Sequence, residues 1–129
     1  MNESYNLDWT LINILHVLIL TPLLIYIGVS RNNSSQELVI LLITLIIFGI
    51  IYHIKKLIKR FDGISIAHII FGIIGIYYLI ISTMNMSVAN KKIKWFYYTL
   101  ILLGVYTFIK HTYYLSKDKH LIYGIQNII

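Results

Sequence analysis

LVILLITLIIFGIIYHI, residues Leu38–Ile54, contains no charge, no proline and no alternation of polar with apolar positions. A hydrocarbon core of about 30 Å takes roughly 17–25 helical residues, so this stretch reads as a helix that crosses a bilayer. A barrel strand alternates, and this stretch does not. Working outward, Thr10–Val29 precedes it, and Ile64–Ile81 and Trp95–Ile109 follow, each apolar and of spanning or near-spanning length. The last run is short. Its helix is expected to borrow residues toward Lys92 and Tyr114, with lysines snorkelling to the headgroups. The reading is an all-α, polytopic membrane protein, residues 1–129 forming one compact bundle with spans near 10–29, 38–54, 64–81 and 95–109.

Composition agrees. With 58% hydrophobic and 12% charged residues among 129, and a mean hydropathy of +0.77, the chain lacks the charge to coat a soluble globule. Isoleucine is abundant and alanine occurs only at Ala67 and Ala89, the usage of an AT-rich genome. There is no cysteine, so histidine must supply any soft ligand. Glu3 and Asp8 precede the first run where a signal peptide carries basic residues, so that helix is expected to stay.

Lys55, Lys56, Lys59, Arg60, Lys110, Lys117 and Lys119 lie on the side of the termini, against Arg31, Lys91, Lys92 and Lys94 opposite. That bias places both termini on the inner, cytoplasmic side. Trp9, Tyr52, Tyr113 and Tyr114 would form the inner aromatic belt, and Tyr26, Tyr77, Tyr78, Trp95, Tyr97 and Tyr98 the outer one. Lys55, Lys56, Lys59 and Arg60 are expected at lipid headgroups, because a span begins within a few residues of them; nucleic acid is not an expected partner. The apolar tail Leu121–Ile129 is too short to span and is expected at the interface or against the bundle.

Four of five histidines then share one end. His16 is early in the first span, His53 late in the second, His68 early in the third and His111 just past the fourth, and alternating helix direction puts these positions on one side. By helical rise His16 lies about 9 Å and His68 about 6 Å inside the membrane. An ionisable group at such depth usually points into the bundle. His16 is expected to find a polar partner on a neighbouring helix, with His68 or Ser65 at the matching depth. His120 reads as a surface residue.

Glycine shares the helical face of three of these histidines. Gly49 precedes His53 by four, Gly72 and Gly75 follow His68 by four and seven, and Gly104 precedes His111 by seven. The space so made suits a haem or metal with imidazole ligands. It equally suits close helix packing with histidine as an interhelical hydrogen-bonding group, which is the preferred reading. If haem b or a metal is bound, His16 and His68 would be the first ligands and His53 and His111 the second; none is expected. Glu3, Asp8, Glu37, Asp62 and Asp118 all fall in termini or loops, which leaves no buried acid for a proton relay. No catalytic triad, phosphate loop or metalloprotease motif is present, which points away from an enzyme.

Aligning His16 with His68 also aligns Tyr26 with Tyr78 and, after a three-residue shift, Gly49 with Gly104 and Lys55 with Lys110. Two readings stay open: a parallel duplication of two helical hairpins about an axis along the membrane normal, or chance helped by the isoleucine bias.

The stretch Asn13–Gly28, NILHVLILTPLLIYIG, with Ile51–Ile54, IYHI, resembles uncharacterised small multi-helix membrane proteins of large AT-rich DNA viruses, where a histidine, a PLL-like turn, a YIG and a later YH recur. The resemblance covers the first hairpin; the second half keeps only the histidine and tyrosine. It implies a component of a viral membrane, virion or virus-modified internal membrane, with no catalytic residues to carry over. The leading expectation is a non-enzymatic integral membrane protein that packs through its glycine and aromatic faces with lipid, with copies of itself or with other membrane or capsid proteins. The alternatives are a bis-histidine haem-binding redox protein and a histidine-lined proton or metal pore.

Overall fold

The computed structural model describes residues 7–84 and 94–128. All of its regular structure is helical. The first helix, α1, runs over residues 7–30: α-helical at Leu7–Leu15, π-helical at His16–Leu20 and α-helical again at Thr21–Ser30. α2 is Gln36–Lys59, α3 is Gly63–Met84, α4 is Lys94–Ser116 and α5 is Lys119–Ile128. Among the described residues three helices are long and apolar enough to cross a membrane, over Trp9–Ser30, Gln36–Lys59 and Gly63–Thr83. The fourth expected span lies within α4. That helix has 23 residues, but its tyrosines and threonines, with Lys110 and His111, make it less apolar than the other three.

Local chemistry sets the breaks. Pro22 brings no N–H to the helical ladder, and the π turn directly before it absorbs the mismatch, with the Thr21 N–H donating to the His16 carbonyl. Arg31 stops α1 with a positive φ of 53°, uncommon for a side-chain-bearing residue, and leads into a single 3-10 turn. Asp62 starts α3: its carboxylate accepts the Ile64 N–H at 3.0 Å and the Ser65 hydroxyl at 3.1 Å. It also pairs with Lys56 at 3.5 Å.

These contacts, led by the Ile64 N–H and followed by Ser65 and Lys56, hold the Asp62 carboxyl below its ordinary value. The cap is therefore fully present above about pH 4 and is lost as pH falls through that lowered value. Hydrogen exchange at the Ile64 amide should stay protected from neutral pH down to about 4. Asp62→Ala should abolish that protection at every pH.

α1 packs along α4, and α2 along α3. The apolar core lies where all four helices meet toward the α1–α2 connection: Leu23, Leu24 and Ile27 from α1, Val39 and Leu42 from α2, Leu79 from α3, and Phe96, Tyr97 and Leu100 from α4. Two glycines let α1 and α4 touch. A Cβ on Gly28 would stand 2.6 Å from Ile101 Cγ1 and 2.8 Å from the Tyr97 carbonyl, and one on Gly104 would stand 2.7 Å from Ile25 Cγ1. Gly72 does the same for α3 and α2, with Ile50 Cγ1 at 3.0 Å. Gly75 has only Ile46 near, at 3.9 Å. Gly49, grouped with these by spacing, differs: nothing lies within 4 Å of its Cβ position, so its side of α2 faces outward. Gly28 is the close contact that the spacing did not single out.

Candidate functional site: two imidazole pairs

At the end opposite the apolar core, the structure sorts the four histidines into two stacked pairs. His16 of α1 lies on His111 of α4, with ring centroids 4.2 Å apart and planes 23° from parallel. His53 of α2 lies on His68 of α3 at 4.3 Å and 23°. Depth was legible in the sequence, but partnership was not. His16 meets neither His68 nor Ser65 as a partner, because α1 packs on α4 and not on α3.

Each ring is oriented by a hydrogen bond at Nδ1. The His16 Nδ1–H donates to the Ile12 carbonyl at 2.6 Å, and the His68 Nδ1–H to the Ile64 carbonyl at 2.8 Å. A carbonyl only accepts, so Nδ1 carries the proton in both rings. His111 Nδ1 is 2.5 Å from Asn13 Oδ1, and Asn13 is completely buried. The Asn13 amide Nδ2 is committed as donor to the Trp9 carbonyl at 2.9 Å, so Oδ1 is the acceptor for His111. His53 Nδ1 is 3.0 Å from Ser65 Oγ, also completely buried. The single Ser65 hydroxyl proton goes to Asp62, so here too the imidazole donates.

All four neutral imidazoles are thus held as the same tautomer. Nδ1–H is anchored and Nε2 keeps its lone pair.

The two pairs are built alike. A step of 52 residues carries Ile12 to Ile64, Asn13 to Ser65 and His16 to His68, and each position makes the corresponding contact in its own pair. In each pair one histidine bonds back to its own helix and the other crosses to the facing one. Tyrosine edges close the pairs, with Tyr114 5.9 Å from His111 and Tyr52 5.2 Å from His53.

One expectation about acids is corrected. Asp118 lies in the connection between α4 and α5, as expected, but it is fully buried where no buried acid was expected: it accepts the Thr10 hydroxyl at 2.5 Å and the Leu121 N–H at 3.2 Å. It ties the start of α5 to α1, one turn from Asn13. The signal available was an aspartate just ahead of an amphipathic stretch, a helix N-cap pattern. Around it, Trp9 packs on Tyr114 at 5.5 Å, and the Lys110 ammonium lies over the rings of Tyr106 and Tyr114 at 5.7 and 5.9 Å.

Lys55, Lys56, Lys59 and Arg60 close the same end at the C-terminus of α2. The side chain of His120 lies outside the described residues. Among the described residues no three His, Asp or Glu side chains come together as a metal site. His16 and His68, the pair expected to flank a porphyrin, are each stacked on another histidine instead. No family model, no curated protein and no solved structure matches this chain.

Proposed function

We propose that the chain is a non-enzymatic integral membrane protein in which α1–α4 all cross the bilayer, with both termini and the histidine end on the inner side. The observation that carries this is the uncovered apolar surface of the candidate spans. Leu18, Phe48, Phe71 and Ile73 are among many large apolar side chains left exposed along them, far beyond what water tolerates on a soluble domain. Lipid, further copies of the chain or other membrane or capsid proteins would cover that surface. The resemblance of the first hairpin to viral membrane proteins supports a place in a viral or virus-modified membrane.

The matching pairs also support the duplicated-hairpin reading. A two-fold axis that takes α1 to α3 and α2 to α4 turns the α1–α4 contact into the α2–α3 contact. On this view each imidazole pair is assembled from both halves of the chain.

Topology is the test. Single cysteines at Asn33 and Lys117 should be labelled by an impermeant maleimide from opposite sides of sealed vesicles. Labelling of both from one side would overturn the four-span reading.

A second reading, that the histidine end handles cations as a proton or metal path, is favoured by one observation: four imidazoles with anchored Nδ1–H groups gather at one depth. Haem ligation by His16 and His68 would require each ring to leave its stack. Visible absorbance of the purified protein after expression with ample haem tests it, and a colourless protein counts against it.

A further inference from the structure

We propose that each stacked pair is a single binding site for one proton, so that the bundle carries two proton sites, one between α1 and α4 and one between α2 and α3. This deepens the cation-handling reading above and rests on it, and on the membrane reading beneath it.

The incoming proton has one place to go. Every Nδ1 already carries a hydrogen donated to Ile12, Ile64, Asn13 or Ser65, so protonation falls on Nε2 and breaks none of these four bonds. The first proton in a pair leaves an imidazolium lying on a neutral imidazole, a cation over an aromatic face. A second would set two like charges about 4.2 Å apart between their ring centres. Such a pair titrates in two separated steps.

The charged groups nearest the pairs are engaged with other partners. Beside the α1–α4 pair is Lys110, next to His111, which adds positive charge; Asp118, at the start of α5, gives its oxygens to Thr10 and the Leu121 N–H. Facing the α2–α3 pair are Lys56 and Asp62, which pair with each other while Asp62 also serves Ser65 and the Ile64 N–H. Neither carboxylate is bonded to an imidazole among the described residues.

The experiment is nitrogen NMR of the protein, with 15N-labelled histidine, in nanodiscs of phosphatidylcholine, titrated from about pH 8 to pH 4. One Nε2 in each pair should protonate first, and the second proton should bind at least tenfold more weakly. His16→Gln and His68→Gln are the informative variants. Among the described residues both wild-type rings hydrogen-bond only to their own helix, so no interhelical hydrogen bond is lost with them.

His16→Gln should make His111 titrate in one step while His53 keeps two, and His68→Gln should make His53 titrate in one step while His111 keeps two. Four rings titrating independently with equal affinity, or a His16→Gln variant that leaves the His111 profile unchanged, would overturn the proposal while the protein remained in the discs. A chain that never enters the discs would overturn the membrane reading, and this proposal with it.

Discussion

Leucine at Gly28 should force α1 away from α4. Even the first added carbon would stand 2.6 Å from Ile101 and 2.8 Å from the Tyr97 carbonyl, and the latter is backbone that cannot rotate aside. Overpacking of this kind costs about 1–3 kcal/mol, and a rigid backbone contact belongs at the upper end. Gly104→Leu should fall in the same range, because Ile25 Cγ1 stands 2.7 Å from its Cβ position. Gly49→Leu is the internal control: nothing lies within 4 Å, so the change should be near zero. Denaturation in mixed micelles measures all three. Equal tolerance of leucine at Gly28 and Gly49 would mean that α1 and α4 are not packed as described.

The second large effect belongs to Asn13→Leu. Asn13 is completely buried, takes the His111 Nδ1–H on Oδ1 and gives its amide to Trp9, so leucine leaves a partly buried imidazole donor without an acceptor. Orphaning such a group costs about 1–3 kcal/mol in soluble proteins. In membrane bundles polar contacts are worth less, averaging about 0.6 and reaching about 1.7 kcal/mol. A loss of about 1–2 kcal/mol is therefore expected, with the His16–His111 stack released and the His53–His68 stack unchanged. Ser65→Ala should produce the mirror result, releasing His53 and sparing His16 and His111.

Much of the fold was legible because hydropathy and helical rise act locally. Leu38–Ile54 announced α2, yet the helix continues to Lys59; a hydropathy reading stops at the first lysine, while the backbone stays helical until the chain turns toward Asp62. The common depth of the histidines was equally readable, since reversal of direction at each loop brings early and late positions together.

Which helix faces which was not readable. That choice is made by close approaches at Gly28, Gly104 and Gly72, and a glycine in an apolar run has the same appearance whether a helix presses on it or, as at Gly49, lipid would. Hence the partner of His16 was expected to be His68 or Ser65 and is found to be His111. Asp118 was hidden for a related reason. Its burial arises from the fold bringing the α4–α5 connection against α1, a contact between residues 108 positions apart that no local pattern encodes.

The measurement that tests this account most directly is a through-space correlation spectrum of the histidine rings in lipid bilayers, assigned by single His→Gln variants. The account predicts inter-residue cross-peaks between His16 and His111 and between His53 and His68, with those from His16 vanishing in His111→Gln and the other pair unaffected. A cross-peak joining His16 directly to His68 with none to His111 would contradict it.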